Sequence, residues 1–161
     1  MTASRTAPRP GPLIAGLDPG RSKCGLVLAD LENSRILEAS ILPPEASLVQ
    51  FQAWQSQGLA RVLVGNGTGS GAWRGPLAAL SLELELVNEH GSTLAARDRY
   101  WELWPPSGWL RLLPAGLRLP PRDIDDVVAQ LLVERHSGLP LQRSTPEVRR
   151  SLNRVRSAPA P

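Results

Sequence analysis

Between Leu13 and Leu42 three apolar runs succeed one another through links too short to hold a helix. Leu13–Leu17 ends at Asp18-Pro19-Gly20, Gly25–Asp30 comes after Cys24, and Arg35–Leu42 after Leu31–Ser34. Strands joined by so few residues pair antiparallel, because a parallel return needs a crossover of a dozen residues or more. The first third of the chain is therefore an antiparallel meander, and the remaining elements have to pack against it.

From Pro43 onward the chain alternates helix and strand. Pro43-Pro44 stops the third strand, and Glu45–Gln57 places Leu48, Val49, Phe51 and Trp54 near helical spacing, with Gly58 as a stop. Leu59–Val64 reads as a strand, Gly65–Gly71 as a glycine-rich loop, Ala72–Leu80 as a short helix, and Glu83–Val87 as a strand. Ser92 caps a helix from Thr93 to Leu103, and Asp123 caps another from Ile124 to His136. Helices between strands imply parallel pairing. The expected fold is thus an α/β mixed five-stranded sheet, antiparallel over strands one to three and parallel over strands four and five, flanked by helices. Residues 104–122 carry five prolines and two tryptophans. They read as an irregular excursion whose rings pack on the domain.

Charge divides the chain in three. Five arginines against Glu147 make residues 137–161 basic, and Arg5 and Arg9 add to residues 1–12. Residues 13–136 hold 14 acidic and 11 basic side chains. The segment expected to fold is mildly acidic, so the overall excess of +3 is no argument for nucleic-acid binding. The expected organisation is a disordered leader (1–12), one domain (13–137) and a disordered Arg/Pro-rich tail (138–161). The tail reads either as a phosphate contact or as a solvated end. Cys24 is the single cysteine, so no internal disulfide forms, and a reducing cytoplasm fits. No apolar run approaches about 20 residues, which excludes a membrane-spanning helix.

Three acids stand at element edges. Asp18 ends the first strand, Glu89 comes just after the fifth, and Asp125 opens the last helix. Each has an ordinary reading, as a turn former, a solvated strand end and a helix-dipole partner. If strands one and five are neighbours, Asp18 and Glu89 point into one crevice, with the helix start beside them. Three carboxylates so grouped repel without a cation. Oxygen donors favour Mg²⁺ or Mn²⁺. Two such ions about 4 Å apart suit phosphodiester cleavage.

The segment Ile14-Ala15-Gly16-Leu17-Asp18-Pro19-Gly20-Arg21-Ser22-Lys23-Cys24-Gly25 resembles the opening hairpin of the YqgF/RuvC-like nucleases, whose fold is RNase H-like. Asn88-Glu89-His90-Gly91-Ser92-Thr93 is similar to their second motif, Asp-Glu-Arg, an apolar residue, then Thr-Thr. Ile124-Asp125-Asp126-Val127-Val128-Ala129 resembles their third, an Asp opening an apolar helix. Tyr100 through Arg118 looks like an insertion of a cyanobacterial branch. The resemblance spans Leu13 to His136. It implies a metal-dependent endonuclease acting on structured RNA or branched DNA, with pre-16S rRNA maturation slightly favoured over Holliday-junction resolution, as a monomer or weak homodimer. It assigns Asp18, Glu89 and Asp125 to the catalytic metal site, with Asp126 in reserve. Arg21, Lys23, Gly67, Thr68, His90, Thr93 and Arg97 are the expected nucleic-acid contacts. Asn88 and His90 depart from the family's Asp and Arg, which leaves open a binding or scaffold protein that has lost turnover. An actin-like ATPase also opens on Asp-x-Gly, but it needs two lobes and a second such hairpin. This chain has the length of one lobe.

Overall fold

The computed structural model describes residues 11–152. Most of the expected leader, and residues 153–161 of the expected tail, lie outside them.

Five strands form one sheet: β1 (Leu13–Asp18), β2 (Cys24–Asp30), β3 (Arg35–Leu42), β4 (Arg61–Gly65) and β5 (Glu83–Val87), in the order β3-β2-β1-β4-β5. β2 is antiparallel to both β1 and β3, while β4 is parallel to both β1 and β5. The mixed sheet read from the sequence is present. β1 lies between β2 and β4, so the condition that β1 and β5 are neighbours is not met.

The helices are α1 (Pro44–Ser56), α2 (Arg74–Ala79, after a 3-10 turn at Ser70–Trp73), α3 (Ser92–Leu103) and α4 (Asp125–Ser137). Strand alternation sorts side chains between two layers. Ala15, Leu17, Leu26 and Leu28 meet Phe51, Trp54, Trp73 and Leu77 of α1, α2 and the turn before α2. Ile14, Val27 and Ala29 meet Ala129 and Val133 of α4 on the other face. α3 covers α4 through Ala96 and Tyr100 against Val127 and Val128.

α4 crosses β1 and β2 at close range because two glycines let it. A methyl group on Gly16 would strike the carbonyl oxygen of Ala129, and one on Gly25 the carbonyl oxygen of Asp125. Gly25 is the registered partner of Asp18. The start of α4 therefore rests directly beside the end of β1.

Two expectations need correction. The stretch after α4 is not a disordered tail within the described residues. Leu141 is buried. The Gln142 N–H donates to the Ser34 carbonyl (2.8 Å), and the Arg149 N–H to the Ala39 carbonyl (3.0 Å). This strap lies along the outer edge of β3 and satisfies backbone groups that an edge strand leaves open. Its arginines are committed to acids: Arg143 to Asp126, Arg149 to Glu38 and Arg150 to Asp123. The excursion differs as well. It holds two 3-10 turns, Gly108–Leu112 and Ala115–Leu117, tethered by the Trp101 indole N–H donating to the Arg118 carbonyl (3.0 Å). Trp104 packs inward under Arg143, yet Trp109 is 69% exposed. Only one of the two rings of residues 104–122 packs on the domain.

Candidate active site

By alternation Asp18 points to the α4 face of the sheet, with Gly16 and Ile14. Asp125 arrives there because Gly25 admits the first turn of α4. Glu89 comes from farther away, across the end of β4. Two glycines make that span open. A side chain on Gly65 or Gly67 would occupy the space taken by the Glu89 carboxylate oxygens. The Asn66 side chain holds the span by accepting the Glu89 N–H at 3.3 Å. The glycine-rich loop thus accommodates an acid. Its glycines are the sequence signal that the sheet order alone would have hidden.

Electrostatics tie the three acids together. Burial, followed by the negative charges of Asp125 and Glu89, pushes the Asp18 pKa from 3.8 up to about 7. The Asp18 carboxyl lies in a cleft of about 400 Å³ that Asp125, Thr93, Arg97 and Lys23 also line. Glu89 lines a second, larger cleft with Arg21 and Thr68. As the side chains lie, no three His, Cys, Asp or Glu residues among the described residues are close enough to grip an ion. The donor chemistry nevertheless suits a hard divalent cation, because carboxylates repelling one another around a half-buried acid are relieved by one.

The other expected residues divide. Lys23 is engaged, its ammonium lying 2.7 Å from Asp123 and 3.5 Å from Asp125. Asp123 raises the Lys23 pKa, and Lys23 lowers that of Asp123. Arg21 and Arg97 have no ion-pair or hydrogen-bond partner among the described residues. His90 is exposed, and its N–H donates to the Asn88 side chain (2.9 Å). Asp126 does not join the site. It is fully buried, 2.7 Å from Arg122 and 2.6 Å from Arg143. A carboxylate held by two guanidiniums has no free face for a metal, so its role is structural.

The expectation that Asp123 caps the last helix is corrected. The residue before α4 is Ile124, and Asp123 turns outward to hold Lys23 and Arg150. Trp73, a ring that could have stacked on a base, is buried with its centre 6.2 Å from that of Phe51.

Gly67→Ala tests the accommodation of Glu89. A flexible carboxylate can swing aside, so stability should change by about 0.5 kcal/mol or less. Displacing Glu89 should lower any metal-dependent activity about 10–100-fold. Paired thermal melts and activity assays would separate the two effects.

Strand order, pairing and helix placement together define an RNase H-like fold, with Asp18 at the end of β1, Glu89 just past β5 and Asp125 at the start of α4. Among solved structures, one similar to this chain is that of T. thermophilus RuvC in complex with Holliday junction substrate. The identity is 14%, the overlap covers 81% of this chain and 99% of that one, and the TM-score is 0.45. So loose an overlay carries no functional weight. No family model and no curated protein matches the chain.

Proposed function

We propose that the chain is a metal-dependent endonuclease that hydrolyses phosphodiester bonds in structured nucleic acid, with pre-16S rRNA maturation slightly favoured over Holliday-junction resolution. The observation that carries this reading is Asp18, a half-buried carboxyl whose pKa is raised to about 7 by its burial and by two further carboxylates from distant parts of the chain. A perturbed acid in a cleft is a functional-site candidate. Asp18, Glu89 and Asp125 are the residues to hold Mg²⁺ or Mn²⁺, which when bound supplies water activation and offsets charge on the phosphate. The protein's own share is to position the nucleic acid. Arg21 and Arg97, uncommitted cations in the two clefts, would take phosphates on either side of the acids. The Thr93 hydroxyl stands beside Arg97 in the smaller cleft.

The test is cleavage of precursor rRNA and of a four-way junction in Mn²⁺, comparing wild type with Glu89→Gln. The proposal expects a loss of more than about 100-fold. Equal cleavage by both proteins on both substrates would sink it.

One observation favours a second reading, a nucleic-acid-binding protein with weak turnover. Lys23 already places a positive charge against Asp125. On that reading nucleic acid binds without cutting, and Mn²⁺ changes neither affinity nor stability.

A further inference from the structure

The larger cleft, about 680 Å³, is not explained by the acids alone. Its size lies in the range of small-molecule sites, about 300–1,000 Å³. Pro44 and Leu48 of α1 form one side, and Ala72 and Pro76 around the start of α2 form another. These surfaces offer mostly carbon, with the Glu45 carboxylate the one charge on the α1 side. Polar groups gather elsewhere on the lining. Arg21 and Thr68 supply an unpaired cation and a hydroxyl, and Glu89 links the cleft to the site. A phosphate would meet Arg21, while the walls suit something flat and apolar-faced. A nucleotide has that division, a charged backbone and a base with an uncharged face.

We propose that this cleft receives an unpaired base of the substrate strand, next to the phosphate at Asp18 and Glu89, so that the preferred substrate carries an unpaired nucleotide beside the bond. This rests on the nuclease reading and adds a requirement to it. A base inside a duplex is stacked on both faces and has no free face to offer these walls. Extruding it costs a few kcal/mol, least where pairing is already absent. The cleft therefore selects for loops, junctions and single-stranded flanks.

Ala72 is exposed and is not one of the three acids, so Ala72→Trp places a ring in the cleft while all three carboxylates are kept. The probe is an oligonucleotide carrying 2-aminopurine, either unpaired or within a perfect duplex. Binding is read from probe emission, with Ca²⁺ replacing Mn²⁺ to suppress cleavage. The wild-type chain should bind the unpaired probe and shift its emission, and bind the duplex roughly tenfold or more weakly. Ala72→Trp should lose that preference while keeping the same Mn²⁺-dependent rise in Tm, which certifies fold and acids together. Equal preference in both proteins, or equal affinity for both probes, overturns the base site and leaves the nuclease reading standing. If the wild type binds neither probe, the nuclease reading fails first and the inference falls with it.

Discussion

At pH 8 without divalent cations, Asp18→Asn should melt higher than the wild type, by on the order of 5 °C, while losing metal-dependent cleavage. The sign comes from the raised pKa. Below about pH 4 the Asp18 carboxyl is protonated in both folded and unfolded chains, and its ionisation does not affect stability. From about pH 4 to 7 the unfolded chain releases a proton that the folded chain retains, so wild-type stability declines as pH rises. Above about pH 7 the folded state carries the whole burden of a half-buried charge beside two others. Asparagine has the same shape and no charge. Its advantage should therefore appear between pH 4 and 7, level off above, and vanish in acid. Mn²⁺ should reverse the order at pH 8 by stabilising only the wild type, by about 2.7 kcal/mol at 100 times its dissociation constant. A melting temperature for Asp18→Asn that stays below wild type across the whole pH range would mean that Asp18 is an ordinary structural residue.

Arg143→Met should destabilise the fold by about 3–5 kcal/mol, although the residue lies in a stretch whose sequence reads as a solvated tail. Its guanidinium is 2.6 Å from Asp126, with only 3% of the side chain exposed, and stacks 5.0 Å from the Trp104 ring. Burial pulls the Arg143 pKa down and Asp126 pulls it back up. Removing the arginine leaves a fully buried carboxylate with Arg122 alone, and loosens Trp104 as well. The triple variant Arg143→Met/Asp126→Leu/Arg122→Met, which removes all three charges, should recover much of the loss, because an apolar replacement of a buried ionic cluster is often neutral. Urea titrations of the two variants would measure this. A loss under 1 kcal/mol for the single change would show that the strap is only loosely held.

Much of this architecture is legible in the sequence. The meander is fixed by link length, and the end of β1 at Asp18 by the turn residues behind it. The features that escape have physical causes. β4 lies between β1 and β5, and order across a sheet is not written in strand periodicity. The step that reunites Asp18 with Glu89 is instead carried by glycines, whose lack of a side chain matters only once a neighbour is known. Asp125 and Asp126 are adjacent and identical in kind, yet one faces the cleft and the other is sealed between two arginines. Helical periodicity turns them about 100° apart, but which one meets the strand end depends on Gly25. The strap escapes because polar, proline-rich stretches look disordered. Its stabilising contacts reach far back along the chain, from Arg149 to Ala39 and Glu38.

That distance sets an order of events during synthesis. β3 leaves the ribosome early, and its outer edge stays bare until residue 142 has been made and is fully covered only with residue 149. Until then its amide and carbonyl groups are available to any neighbouring nascent chain. Chains cut short of the strap should therefore clump on expression before they fail in any assay of chemistry.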